Sequence, residues 1–155
     1  GDLVMTPSPV PYHQMISKRL LLALHEFAEK DRELGVVLAA PIDVHLDDAD
    51  VFQPDIIFVA RERLSIIGEQ HIEAAPDLII EILSPSTAYY DLKQKKSAYA
   101  RHGVKEYWIV DPIEKSIEVY GNAGHEFALD NKVTAQGEVN SRLLEGFSVE
   151  VGKIF

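Results

Sequence analysis

The chain has 155 residues, of which 46% are apolar and 26% charged, a composition typical of a globular protein with one core of ordinary size. It has no cysteine, which excludes a disulfide scaffold and any Cys-ligated zinc or iron–sulfur centre. Acidic residues outnumber basic ones by 25 to 15, which argues against a general nucleic-acid binder but not against carboxylates that hold a metal ion. Apolar runs fall far short of the roughly 18 residues of a membrane helix, and no signal-peptide pattern is present, so we expect a cytoplasmic protein without membrane association.

The N-terminal part of the chain predicts one long helix followed by strand. Residues 8–11 predict an extended lead-in, and apolar residues then recur every three or four positions, which predicts an amphipathic helix over residues 12–30. The apolar positions are Ile16, Leu20, Ala23, Leu24 and Phe27. Residues 36–46 predict a strand, or two pieces interrupted at Pro41, and residues 47–50 predict a polar loop.

Two short apolar segments each open with Pro-Asp, and both are predicted to be buried strands. They span residues 54–60 and 76–83. Their nearly continuous apolar character is typical of strands that are covered on both faces of a sheet. The stretch 61–75 between them is mixed in character and predicts a loop with a short helix.

A second helix and a third buried strand follow. Residues 84–87 break the preceding strand, and residues 91–102 predict a helix with Gly103 as its C-terminal stop. Residues 106–111 predict a strand that turns back into a hairpin partner at residues 116–120.

The remainder, from Gly121, predicts a tail of short strands joined by turns. The order helix, strand, strand, strand, helix, strand, followed by this tail, predicts an α/β fold around a mixed sheet. We expect the strands 55–60, 77–83 and 106–111 at the centre of the sheet, flanked by the helices 12–30 and 91–102. No linker or repeat interrupts the pattern, so residues 1–155 are predicted to form a single domain.

Three acidic residues of the strand segments are candidate metal ligands. Asp77 and Glu81 are four residues apart on one predicted strand and therefore share a face. Glu81 lies within an apolar run, where a carboxylate is costly unless it is paired or binds a metal. If the two Pro-Asp strands are neighbours, Asp55 approaches Asp77 or Glu81, and such a carboxylate cluster suits a hard cation such as Mg²⁺. The alternative is that Glu81 reaches the edge of the sheet and pairs with a lysine.

The second predicted helix carries one polar stripe. Asp91, Lys95 and Tyr99 are spaced four residues apart and lie on one helix face. An ion pair between Lys95 and Asp91 would contribute little stability. A Lys95 ammonium group directed at the carboxylates could instead stabilise negative charge on a phosphate.

Basic residues are concentrated on and just after the same helix. Five basic residues accompany two acidic ones between residues 91 and 106. An ordinary solvated helix face is the simpler interpretation, and contact with nucleic-acid phosphates is the alternative. The candidate DNA-binding residues are Lys93, Lys96 and Arg101.

Familiar catalytic signatures are missing from the sequence. There is no Walker A loop, no Gly-x-Gly-x-x-Gly and no Gly-x-Ser-x-Gly motif. The six histidines show no metal-ligand spacing and are interpreted as surface or capping residues. His13, at the start of the first helix, is the exception and is kept as an accessory residue of a site.

At these residues the sequence resembles the Uma-type restriction endonuclease family of the PD-(D/E)xK nuclease superfamily. The matching segments are PDIIFVA at 54–60, PDLIIEILSPST at 76–87, Asp-x3-Lys-x3-Tyr from Asp91 to Tyr99, and GVKEYWIVDP at 103–112. Pro-Ser-Pro ahead of His13 is similar to the family's N-terminal region. The resemblance covers nearly the whole chain and implies a restriction-endonuclease-like α-β-β-β-α-β core.

The resemblance also implies roles for single residues. Asp55 matches the acid of the superfamily's first motif and Glu81 the acid of its second, with Asp77 beside Glu81. The superfamily usually has a lysine two residues after the second acid, where this chain has Leu83, and Lys95 matches a lysine relocated to the following helix. The implied catalytic residues are Asp55, Asp77, Glu81 and Lys95, of which the three acids are the metal ligands, with His13, Asp91 and Tyr99 as accessory residues. Family members usually carry an extra segment with a glutamate before the stretch that here is Gly1 to Met5; without it the site would lack one acid.

The activity implied by the resemblance is hydrolysis of DNA phosphodiester bonds with Mg²⁺ or Mn²⁺. A homodimer is expected, because two-fold symmetry suits the cleavage of a palindrome, with Tyr107-Trp108 or the β tail as apolar surface. Two alternatives stay open. The acidic charge and Leu83 favour a catalytically inactive nucleic-acid-binding or regulatory member of the fold, and the same carboxylates could serve another metal-dependent hydrolase.

Overall fold

A computed structural model describes residues 10–85 and 89–155 of the chain. The helices are α1 (Pro11–His25), which continues as a π-helical segment over Glu26–Asp31, α2 (Tyr89–Arg101) and α3 (Val151–Ile154), and a 3-10 helix spans Arg61–Ile66. The strands are β1 (Gly35–Ala39), β2 (Val44–His45), β3 (Val51–Phe52), β4 (Ile56–Ala60), β5 (Leu78–Ile82), β6 (Glu106–Asp111), β7 (Ser116–Ala123), β8 (Glu126–Thr134), β9 (Glu138–Asn140) and β10 (Ser148–Glu150). The predicted lead-in at residues 8 and 9 and the end of the predicted break at residues 86 and 87 lie outside the described residues.

The main sheet has six strands in the order β1-β4-β5-β6-β7-β8. β5 and β6 pair in parallel, and the other neighbours pair antiparallel, so the predicted mixed sheet is confirmed. The three strands expected at the centre are β4, β5 and β6, and each has a partner on both sides. Two further strand pairs, β2 with β3 and β9 with β10, lie outside this sheet.

The core consists of two apolar clusters, one on each face of the sheet. Ile16 and Leu20 of α1 pack with Ile80 of β5 in the first cluster. Tyr99 of α2 packs with Ile79 of the same strand in the second. Because successive strand residues point to opposite faces, β5 supplies both clusters, and an uninterrupted apolar run is what such a strand requires.

The element ends differ from the predicted ones where proline intervenes. The predicted strand 36–46 is split into β1 and β2 at Pro41, and β4 and β5 each begin two residues after Pro54 and Pro76. Proline has no N–H group, so it cannot donate to the hydrogen-bond ladder. Gly103 follows α2 with φ of +90°, a conformation that glycine adopts without steric cost.

Tyr107 and Trp108 are fully buried within the chain, with 0% exposure each. The prediction that this pair supplies apolar surface for a dimer is therefore wrong. Trp108 packs in the apolar cluster on one face of the sheet and Tyr107 in the cluster on the other, so neither ring reaches the surface.

Glu106, the first residue of β6, anchors the C-terminal loop to the sheet. Its buried carboxylate accepts hydrogen bonds from Trp108 Nε1 (2.9 Å) and from Ser141 Oγ (2.6 Å). The backbone N–H groups of Arg142 and Leu143 donate to its other oxygen at 2.9 and 3.2 Å. All four acceptor positions of an ionised carboxylate are thus used, which satisfies the charge without a cation.

Glu106→Gln is expected to destabilise the fold at almost constant volume. The amide NH₂ group would face donors and could not accept their hydrogen bonds, so the free energy of unfolding should fall by about 1–3 kcal/mol in urea denaturation. Glu126→Gln on the exposed side of β8 is the matched control and should change it by less than about 0.5 kcal/mol. Equal losses in the two variants would contradict the anchoring role of Glu106.

Candidate active site

The pairing of β4 with β5 brings Asp55 to the end of β5. Ile56 lies opposite Ile80 in this antiparallel pair, so the residue before β4 is placed beside the residues that close β5. The Ile82 N–H donates to Oδ2 of Asp55 at 2.7 Å. Asp55 is therefore fixed next to the segment that carries Glu81.

Glu81 is buried within β5, with its side chain 7% exposed. The Tyr99 hydroxyl donates to its Oε1 at 2.6 Å, and the Tyr107 hydroxyl donates to its Oε2 at 2.9 Å. Lys95 Nζ lies 3.7 Å from Oε1. These groups compensate part of the cost of burying a carboxylate in an apolar strand.

Two members of the predicted polar stripe on α2 reach this carboxylate. Lys95 and Tyr99 are one helical turn apart, and both contact Glu81. Asp91 is exposed in the first turn of the helix. The structure therefore places the Lys95 ammonium group against the carboxylate, as the second of the two sequence interpretations expects.

His13 of α1 reaches the same edge of the sheet from the opposite face. Its Nε2 lies 3.2 Å from the Ile82 carbonyl oxygen and 3.6 Å from Asp55 Oδ1. Both neighbours are acceptors, so Nε2 must carry the proton to donate to Ile82. His13 thus connects the position of α1 to that of Asp55.

Burial sets the electrostatics of the site. It raises the pKa of Asp55 above its ordinary value of 3.8, against the lowering effects of the Ile82 N–H, His13 and Lys95. Burial also raises the pKa of Tyr99 and that of Tyr107 far above the ordinary value of 10, and the charge of Glu81 adds to this. Both phenols therefore stay protonated and remain hydrogen-bond donors at any pH at which the protein works.

Asp77 lies at the other end of β5. Its carboxylate is fully buried and accepts hydrogen bonds from Lys105 Nζ (2.9 Å) and from the Ala60 N–H (2.7 Å). It also forms an ion pair with the Arg63 guanidinium at 3.1 Å. Four strand residues span about 13 Å, so a shared face does not bring Asp77 to Glu81. The prediction that the two acids lie side by side in one site is not met.

The contacts of Asp77 are those of a structural ion cluster. Its burial would raise its pKa, but the Ala60 N–H, Lys105 and Arg63 outweigh this effect and lower the pKa below 3.8. Ala60 is the last residue of β4, Arg63 lies in the 3-10 helix that follows it, and Lys105 precedes β6. Asp77 therefore ties three consecutive parts of the sheet together at the end opposite the candidate site.

The predicted DNA-binding residues of α2 differ in their surroundings. Lys96 Nζ lies 3.7 Å from the centre of the Tyr120 ring, and burial lowers the pKa of Lys96. Arg101 is 62% exposed and lies 3.9 Å from a carboxylate oxygen of Asp50. Lys93 is exposed. Lys96 is therefore engaged within the chain, whereas the side chains of Lys93 and Arg101 are exposed to solvent.

The structure also brings together residues that the sequence interpretation did not connect. Asp47, Asp50 and His102 offer ligand atoms within 4.8 Å of one another, a second group that could hold a metal ion. The sequence predicts a polar loop at 47–50, but the contact of this loop with the end of α2 depends on the fold. The sequence likewise identifies Tyr107 only as a residue of an apolar strand and gives no sign of its contact with Glu81.

Comparison with known proteins connects this geometry to a family. The Uma2 family model, described as "Putative restriction endonuclease", matches residues 1–152. The chain belongs to the Uma2 family. This confirms the resemblance drawn from the Pro-Asp strands and the helix that follows them. Among curated proteins, none matches this chain.

A solved structure shares the fold. It is a protein from Anabaena variabilis ATCC 29413, described as "a putative nuclease belonging to DUF820". It is 20% identical in sequence and superimposes with a TM-score of 0.77, over 100% of this chain and 86% of that one. The nuclease-like fold predicted for the Uma2 chain is therefore confirmed. In the part of the Uma2 chain that the structure describes, no helix is both long and apolar enough to cross a membrane.

Asp77→Asn is expected to weaken the fold and leave the candidate site intact. The amide oxygen can still accept from the Ala60 N–H, but Arg63 and Lys105 lose their counter-charge, so the free energy of unfolding should fall by about 1–3 kcal/mol at neutral pH. Because the pKa of Asp77 is lowered on folding, its contribution is fully present above about pH 4 and is lost as the pH falls through that lowered pKa. Chemical denaturation at several pH values measures this, and a difference that does not shrink in acid would contradict it.

Proposed function

We propose that this Uma2 protein is an endonuclease that hydrolyses DNA phosphodiester bonds with Mg²⁺ or Mn²⁺. The observation that carries the proposal is the placement of Asp55 beside the end of β5 that carries Glu81, with Lys95 3.7 Å from Glu81, in a chain of this family. Two carboxylates and an ammonium group at one edge suit a site that holds a cation and an anionic substrate together. We further propose that residues 1–155 act as one domain, in the cytoplasm and as a homodimer.

The donor set of the candidate site fits a hard divalent cation. Asp55 and Glu81 supply carboxylate oxygens, and Mg²⁺ is commonly held by one or two carboxylates with water and substrate phosphates. We propose that these two residues hold the metal and that Asp77 does not. The ion, when bound, neutralises charge on the phosphate and lowers the pKa of a water molecule.

The other residues of the site have roles that follow from their contacts. Hydrolysis adds a water oxygen to phosphorus and breaks the bond to one ester oxygen, so negative charge grows on the phosphate in the transition state. The Lys95 ammonium group, half-buried beside Glu81, is placed to stabilise that charge. His13 donates to the Ile82 carbonyl oxygen, and its ring lies 3.6 Å from Asp55 Oδ1, so it closes one side of the Asp55 carboxylate.

One observation favours a second candidate, a catalytically inactive nucleic-acid-binding or regulatory protein. Leu83 occupies the position at which the superfamily usually has its lysine, and its side chain is apolar and half-buried. The net charge of −10 also opposes binding of nucleic acid unless a cation is present at the carboxylates.

Nicking of supercoiled plasmid with Mg²⁺, Mn²⁺ or EDTA tests the proposal. We expect nicking by the wild-type protein with either metal, none with EDTA, and a loss of at least about 10²-fold in Glu81→Gln. Asp77→Asn is the matched control, because it neutralises a buried acid on the same face of the same strand, outside the site. DNA binding without nicking by the wild type would support the inactive member. Cleavage of RNA or of phosphomonoesters, without cleavage of DNA, would indicate another metal-dependent hydrolase.

Lys95→Ala is expected to abolish most of the cleavage while the fold and Mn²⁺ binding are kept. Loss of a preorganised charge typically costs about 10²–10³ in rate. Lys93→Ala, on the exposed part of the same helix, should only weaken DNA association, and more so at low salt than at high salt. Plasmid nicking rates and DNA affinities measure both effects. Equal and mild losses in the two variants would show that Lys95 has no special role.

A further inference from the structure

Three buried carboxylates of the described chain are satisfied in three different ways. Glu106 accepts four hydrogen bonds, and Asp77 is neutralised by two cations. Glu81 receives one neutral phenol at each oxygen, and the cation paired with it lies at 3.7 Å. An ionised carboxylate has about four acceptor positions, so the two phenols leave acceptor capacity on both oxygens.

The two phenols approach Glu81 from different elements. Tyr99 is on α2, which covers one face of the sheet, whereas Tyr107 is on β6, the parallel neighbour of β5. With one donor at each oxygen, rotation of the Glu81 carboxylate about the Cγ–Cδ bond would break both hydrogen bonds at once. The carboxylate is therefore held in one plane before any ligand arrives.

Neighbouring aromatic rings fix the positions of both phenols. The Tyr99 ring lies edge-on to Phe52 and to Tyr107, with centroids 5.3 Å apart in each case. The Tyr107 ring also packs against Phe127 at 5.5 Å. Such contacts restrict movement of the two rings, and the hydroxyl groups are therefore held in place beside the carboxylate.

We propose that Tyr99 and Tyr107 are positioning residues that lock the Glu81 carboxylate in the orientation that binds the metal, one phenol at each oxygen. This inference rests on the proposed function, because it assumes that Glu81 is a metal ligand. It goes beyond that function in assigning a role to Tyr107 and in giving the tyrosine pair an effect on metal affinity. Groups that hydrogen-bond to a metal ligand typically change metal affinity or activity by about 10–100-fold when they are removed.

The test is Mn²⁺ titration of the purified protein without nucleic acid, followed by isothermal calorimetry or by the electron paramagnetic resonance of free Mn²⁺. Tyr107→Phe and Tyr99→Phe each remove one hydroxyl and keep the ring, and each should raise the Kd for Mn²⁺ by about 10–100-fold. Tyr120→Phe is the matched control. Its ring is 6.5 Å from that of Tyr107, but its hydroxyl donates to Glu118, so the Kd should stay unchanged.

A second readout separates positioning from a purely structural role. With the tyrosine variants, the Mn²⁺ concentration for half-maximal nicking should rise, while the rate at saturating Mn²⁺ should return toward that of the wild type. Urea denaturation in EDTA establishes that each variant is folded. Unchanged Mn²⁺ affinity in both variants, with lowered stability alone, would overturn the positioning role.

The outcomes also separate this inference from the proposed function. Wild-type binding of Mn²⁺ that is lost in Glu81→Gln, with unchanged affinity in all three tyrosine variants, would overturn the role of the tyrosines and leave the metal site standing; the Glu81 control is needed because Asp47, Asp50 and His102 form a second group that could hold the ion. An equal loss of affinity in Tyr120→Phe would overturn it too, because the effect would then belong to the aromatic cluster as a whole. Absence of Mn²⁺ binding by the wild type would overturn both proposals.

Discussion

The Glu81 carboxylate lies inside a central strand of a six-stranded sheet, where an ionised group is costly unless its neighbours compensate for lost water. The compensating groups come from two elements. Tyr99 and Lys95 belong to α2, and Tyr107 belongs to the adjacent strand β6. The packing of α2 on the sheet is therefore coupled to the charge of one side chain. The helix must lie where its hydroxyl and ammonium groups reach that carboxylate.

The opposite ends of β5 illustrate how the same residue type can serve different purposes. Asp77 is held by Arg63, Lys105 and the Ala60 N–H, and its pKa is lowered, so its charge stabilises the folded state. Asp55, beside the other end of the strand, has a raised pKa because burial outweighs its favourable contacts. A carboxylate that costs stability in the folded state is typical of a functional position, where a ligand supplies the missing compensation.

The overall charge of the protein places a condition on the proposed activity. With a formal net charge of −10, the chain repels a polyanion at long range. Lys96 is engaged with an aromatic ring, and Arg101 lies near Asp50, so the basic stretch around α2 offers less free positive charge than its composition suggests. A divalent cation at Asp55 and Glu81 would reverse the local field at the point where a phosphate must approach.

The sequence by itself determined the strands, the faces they present and the residues whose burial needs explanation. Continuous apolar runs identified the three central strands, and proline marked the beginnings of β4 and β5. The four-residue spacing on α2 placed Lys95 and Tyr99 on one face. Glu81 was recognisable because a carboxylate interrupts an apolar run, and Asp55 because it opens the neighbouring Pro-Asp strand. These features are local, since residue spacing and backbone chemistry alone decide them.

Only the tertiary structure decided which of these residues meet. Alternation along a strand assigned Asp77 and Glu81 to one face, but the cations beside the first and the phenols beside the second come from elements whose positions the strand pattern does not give. Tyr107 is a partner of Glu81 because β6 pairs in parallel beside β5. Lys96 contacts the Tyr120 ring because β7 pairs with β6 and extends the sheet on that side. Contacts of this kind depend on strand order and on the placement of helices over the sheet. The spacing of residues along a single helix or strand determines neither of these.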